Sequence, residues 1–142
     1  MNIISAILAS FAGTLAMTAL MYVAPAMGMP KMDIIGMLGT MFTSNQGTAR
    51  VMGVVAHFMM GAVFAIIYAL LWSLGIGSPT WLWGLIFGAV HGVVTMVMIP
   101  MMMKIHPRPT QMDNGPKMMV GMLAAHMFFG LVVALTYGAL VS

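Results

Sequence analysis

Two stretches of the chain share one pattern of chemically capable residues. His57-Phe58-Met59-Met60-Gly61 runs on to Ala65 and Tyr68, and His126-Met127-Phe128-Phe129-Gly130 runs on to Ala134 and Tyr137, so both read H-x-x-x-G-x-x-x-A-x-x-Y. Each copy lies in a run apolar enough to cross a bilayer, where an ionisable side chain is costly and needs a partner. A neutral imidazole nitrogen can ligate haem iron or a soft metal ion, or hydrogen-bond a neighbouring helix. The glycine one turn after each histidine would leave clearance for a flat group such as a porphyrin edge. His57, His126, Gly61 and Gly130 are therefore the candidate cofactor-binding residues.

Thioethers supply a second donor type. Of the 21 methionines, none falls between Met60 and Met96 and none follows Met127. They concentrate in one half of each span and in the adjoining connections. Pairs such as Met17 with Met21 and Met118 with Met122 put two thioethers on one helical face. Soft sulfur ligands suit Cu(I), although methionine also packs adaptably without any metal. A third buried imidazole, His91, falls near the middle of its own span. Helical spacing aligns His57 with Met60, His91 with Thr95 and Met98, and His126 with Met122. The candidate metal ligands are then His57, His91, His126, Met60 and Met122. Against them stands the plain alternative that the imidazoles bond across helices to Thr95, Thr18, a tyrosine or a carbonyl. His106 lies in a proline-rich connection, where a solvated loop role is the default.

Composition says what must position these groups. Hydrophobic residues make up 62% of the 142 and charged residues 5%, too few to clothe a water-soluble domain. The chain reads as a single all-α transmembrane domain over residues 1–142. A bilayer core of roughly 30 Å takes about 20 apolar residues per helix. That places spans near 3–26, 51–74, 81–103 and 118–141, separated by Met27-Gly28-Met29-Pro30, by Gly75-Ile76-Gly77-Ser78-Pro79, and by His106-Pro107-Arg108-Pro109 with Asn114-Gly115-Pro116. The short middle break predicts a tight antiparallel pair of the second and third spans. The first span lacks a basic leader and a cleavage site, so it is expected to remain as an anchor.

Lys31, Arg50, Lys104, Arg108 and Lys117 all fall in or beside the 1-2 and 3-4 connections. The positive-inside tendency then predicts a multi-pass protein of a prokaryotic cytoplasmic membrane with both termini outside. Trp72, Trp81 and Trp83 gather at the 2-3 turn as an aromatic belt would. In the 1-2 connection, Ile34, Ile35, Met37 and Leu38 follow Asp33, which predicts a short interfacial helix with the aspartate at its positive end. The histidine repeat extends weakly to the other spans, with Gly13, Met21 and Pro25 set against Gly88, Met96 and Pro100. The expected architecture is a four-helix transmembrane bundle of two tandem helical hairpins. Stripes of small residues, Gly84, Gly88 and Gly92 or Gly130, Ala134 and Gly138, would let its backbones approach closely.

Several functions are excluded by what is missing. The scattered basic residues form no nucleic-acid patch. No cysteine is present for disulfide or thiolate chemistry. A proton-coupled exporter would be expected to carry a carboxylate within a span, and both Asp33 and Asp113 fall in connections. No nucleophile-base pair points to an enzyme.

Gly13-Thr14-Leu15-Ala16-Met17-Thr18, the run from Ala24-Pro25-Ala26-Met27 through Gly28-Met29-Pro30-Lys31-Met32-Asp33-Ile34, and the two H-x-x-x-G helices resemble an uncharacterised prokaryotic family of small four-helix membrane proteins. The resemblance implies an accessory role in membrane redox systems and offers no catalytic residues to carry over. The leading expectation is an accessory subunit of a larger membrane complex, with a His/Met cofactor site. Its partners would be lipids, other membrane subunits or a second copy of itself. The alternative is a stand-alone haem b or Cu(I) protein using His57 and His126.

Overall fold

A computed structural model of the chain describes residues 1–109 and 115–142, so Asp113 and Asn114 of the third break lie outside the described residues. The helices are α1 (Ile3–Val23), α2 (Ile34–Thr40), α3 (Gln46–Ser73), α4 (Trp81–Ile105) and α5 (Pro116–Val141), and no strand occurs among the described residues. Four of them, with α1 counted through its 3-10 extension to Met27, are long and apolar enough to cross a membrane. In hydrocarbon a backbone must satisfy its own polar groups, and a helix does so within one segment.

The ends follow from local chemistry. Asn2 caps α1 by accepting from the amide of Ser5, and Asn45 caps α3 by accepting from that of Thr48, each at 3.0 Å. Pro25 turns the end of α1 into a 3-10 segment that Gly28 closes at a φ of +80°, a conformation glycine adopts without strain. Pro100, its counterpart in the sequence, lies inside α4, which runs on to Ile105. The short helix expected in the 1-2 connection is present as α2. Asp33 caps it, accepting from Gly36 N–H at 2.9 Å.

That helix does more than lie in an interface. Gly39 of α2 meets the backbone of Ala49, and Gly53 of α3 meets the backbone of Ile35, so α2 and α3 touch main chain to main chain. Met37 and Leu38 are buried beneath the bundle. The 3-4 connection clasps α2 from the other side. His106 Nε2 donates to Met37 O at 2.9 Å, His106 Nδ1 accepts from Arg108 N–H at 3.0 Å, and the Arg108 guanidinium donates to Thr40 O at 2.6 Å. The solvated role expected for His106 is thus corrected: the ring is buried, because both nitrogens find backbone partners there.

Around the bundle the order is α3, α1, α5, α4, with backbones close at each of these three seams. A Cβ at Gly88 would fall 2.6 Å from the Cα of Met127, and one at Gly130 would fall 2.9 Å from the Cα of Gly88, so the α4–α5 seam is closed by glycine against glycine. The fourth seam, between α3 and α4, differs, and the tight pairing expected of the second and third spans is not found. Both helices spend their small residues on other neighbours. Toward each other they present rings: Trp72 stacks on Phe87 at a centroid distance of 5.8 Å, and Tyr68 meets Phe87 edge-on at 5.2 Å. These side chains fill the tryptophan end of the bundle with Phe129, Val133 and Tyr137. At the other end, where the basic connections lie, the same spacing is left to methionines.

Candidate functional site

With no glycine seam between them and, among the described residues, no ring contact across the gap past Phe64 and His91, α3 and α4 stand apart at the basic end. A cavity of about 510 Å³ fills the space. Every helix contributes a thioether to its wall: Met17 from α1, Met37 from α2, Met60 from α3, Met98 from α4 and Met122 from α5. Among the described residues its polar side chains are His57, His91, His126 and Thr95. The imidazoles of the second and fourth spans therefore reach a shared interior, together with that of the third. Met60 is 42% exposed and Met98 55% exposed, so the mouth between α3 and α4 faces outward from the bundle.

Each imidazole is held differently. His126 Nδ1 lies 2.7 Å from Met122 O and must donate to it, since a carbonyl only accepts. Its Nε2 lies 3.2 Å from the Thr95 hydroxyl, which also lies 2.9 Å from His91 O. In the neutral ring Nε2 accepts, so it competes with His91 O for the single proton of the Thr95 hydroxyl. His91 Nδ1 pairs with the Tyr68 hydroxyl at 3.3 Å, and its ring stacks on Phe64 at a centroid distance of 3.5 Å. For these two rings, hydrogen bonding across helices holds. His57 is buried, yet among the described residues no hydrogen bond reaches its ring.

The glycines of the repeat serve the helix seams. A Cβ at Gly61 would strike the Thr14 hydroxyl of α1, and one at Gly130 would strike the backbone of Gly84, so neighbouring helices fill the clearance that a porphyrin edge would need. Gly61 still borders the cavity, whereas Gly130 faces α4 away from it. Among the described residues no three His, Cys, Asp or Glu side chains are grouped as a metal site. Any metal here would have to be held by thioethers as much as by imidazoles.

Sequence reasoning missed three contributors. Phe64 supplies the flat wall beside His91, α2 with Met37 and Leu38 forms the floor, and Ile99, Met101 and Met102 extend the α4 side. The spacing from Phe64 to Tyr68, one helical turn, could have flagged the ring wall. Nothing in the sequence marks α2 as a floor.

A second cavity of about 250 Å³ adjoins the first at His57, Met21, Met32 and Ile34, and it carries Tyr22, Lys31 and Asp33. It lies at the basic end, beneath the 3-10 segment that follows α1.

The family model DUF6789, a family of unknown function, matches residues 1–142, and the chain belongs to that family. No curated protein and no solved structure matches it.

Proposed function

We propose that this DUF6789 member binds an apolar ligand drawn from the bilayer in the cavity between α3 and α4. One observation carries the reading: about 510 Å³ of space is walled by methionine and aromatic side chains, with three imidazoles and one hydroxyl as the polar side chains among the described residues. Small-molecule sites have this character, being apolar with a few convergent polar groups, and run roughly 300–1,000 Å³. The exposed Met60 and Met98 at the mouth give a path from lipid without passage through water. Substituting Met98→Trp should narrow that mouth without touching the glycine seams. Organic extracts of the purified protein, compared by mass spectrometry, should then lose a molecule that the unaltered protein retains stoichiometrically. Retention of bulk phospholipid alone by both forms would end the proposal.

The wider role we assign is that of an accessory subunit in a larger membrane complex of redox type. In support, nearly every described residue belongs to an apolar helix or a short connection between two of them. A chain of that kind acts through its neighbours in the bilayer. Other chains should co-purify in mild detergent, and a homogeneous monomer or homodimer would count against the role.

A second reading is favoured by the thioethers contributed from all five helices. Sulfur and imidazole donors without carboxylates suit Cu(I), and anaerobic titration followed by X-ray absorption should then show mixed sulfur and nitrogen ligation. Axial haem ligation by His57 and His126 would require His126 to release Thr95.

A further inference from the structure

His57 has no counterpart to the partners that hold the other two rings. In the register that sets Met21 against Met96, the positions on α1 matching Thr95 and His91 are Leu20 and Ala16. The α1 hydroxyl that lines the second cavity with His57 is that of Thr18, and it donates to Thr14 O at 2.6 Å. At 7% exposure, His57 keeps a donor and an acceptor without a protein partner among the described residues. Among the described residues the fully enclosed side-chain atoms without a partner are Thr14 Oγ1 and Trp72 Nε1, so the His57 nitrogens open onto the cavities that the ring borders, where a guest can meet them.

Three features of the cavity restrict what that something is. Lipid access through the mouth requires a molecule dissolved in the bilayer. Among the described residues no charged side chain lines the space, so an anionic head such as a carboxylate, a phosphate or a porphyrin propionate would go uncompensated there. Phe64 and His91, stacked on each other at a centroid distance of 3.5 Å, line the space with Phe129, which stands edge-on to His91 at 5.5 Å, a setting of aromatic rings that suits a planar guest. A planar, uncharged ring bearing a hydrogen-bond acceptor and an apolar tail meets all three conditions.

Resting on the ligand-binding reading above, we infer that the ligand is a lipid-soluble quinone. Its ring lies beside Phe64 and His91, one carbonyl oxygen accepts from the N–H of His57, and its tail leaves past Met60 and Met98 into the bilayer. His57 also borders the second cavity, which carries Lys31 and Asp33. The quinone head therefore sits one side chain away from a chamber with charged walls, while its tail stays in lipid.

The test uses the full chain in lipid nanodiscs, with bound molecules per chain counted against protein-free discs. The probes are 6-decyl-2,3-dimethoxy-5-methyl-1,4-benzoquinone and decylbenzene, which has a ring and tail but no carbonyl. The quinone should saturate at one per chain and bind roughly tenfold more tightly than decylbenzene, the effect of one hydrogen bond to an otherwise unpaired buried group. His57→Phe should abolish that preference, whereas His57→Gln, which keeps an N–H, should retain most of it; unchanged melting temperatures would show both variants folded. Equal binding of the two probes, or a preference that survives in His57→Phe, overturns the quinone assignment. Should Met98→Trp still weaken both probes in that case, the ligand-binding reading stands. Saturable binding of neither probe removes both.

Discussion

A neutral imidazole has one donor and one acceptor nitrogen, and the four histidines use them in four ways. His106 spends both on backbone groups of the 1-2 and 3-4 connections. Replacing it with alanine removes both bonds, leaving Met37 O with the Thr40 hydroxyl at 3.1 Å and Arg108 N–H without the ring, which should cost about 2 kcal/mol. Reversible unfolding in mixed micelles would measure the loss, and faster hydrogen exchange confined to α2 would locate it. His126 and His91 are tied by Thr95 and Tyr68, and His57 stands open to the cavity. Helical spacing allowed the histidine faces to converge without requiring it, whereas the repeat itself was legible at this scale, because an ionisable residue in an apolar span has few reasons to exist. The buried state of His106 was not. Its partners are carbonyls and amides, and backbone groups leave no mark on side-chain pattern.

Helix by helix, seam width is set by the residue at each crossing. Gly130 of α5 and Gly88 of α4 meet backbone to backbone, so Gly130→Leu must push the two helices apart. Overpacking of this kind costs roughly 1–3 kcal/mol where neighbours can yield, and the upper end is expected here because the opposing atoms are main chain. A lowered melting temperature in detergent, with helix content intact, would be the readout. Gly61→Ala should cost a similar amount, since the added methyl meets the fully buried, β-branched Thr14 side chain. The spans themselves were readable to within a few residues, except that α3 begins well before the expected Val51, at Gln46 under the Asn45 cap. Loop length misled at the α3–α4 seam. A short turn fixes where two helices start, but Phe64, Tyr68, Trp72 and Phe87 decide how far apart they run. Glycine stripes pointed to close packing correctly and did not say against which partner.

Across the whole molecule the two ends are unlike. Aromatic side chains make one end solid, and methionines surround a cavity at the other, beneath connections carrying the basic residues. Asn2 N–H donates to the Tyr137 hydroxyl at 3.0 Å, which ties the amino-terminal end of α1 to the last turns of α5. The basic connections are expected to face the cytoplasm. The absence of native cysteine makes this easy to check with a membrane-impermeant maleimide. Ser78→Cys in the 2-3 turn should react in intact cells, and Ser44→Cys in the 1-2 connection only after permeabilisation. The reversed pattern would invert the protein. Composition revealed the class of fold at once, since so few charges leave no other solvent. Which helices would neighbour which was not written there, because lipid rewards no particular apolar contact over another.

The gap between α3 and α4 changes what affinity means for such a protein. A recess open sideways to a membrane is bathed in acyl chains, so any guest enters by exchange with a fatty tail. Occupancy then tracks the guest's mole fraction among lipids, and water concentration drops out. Chain length and unsaturation of the surrounding bilayer would compete directly with the guest, making the host membrane a regulator of the site.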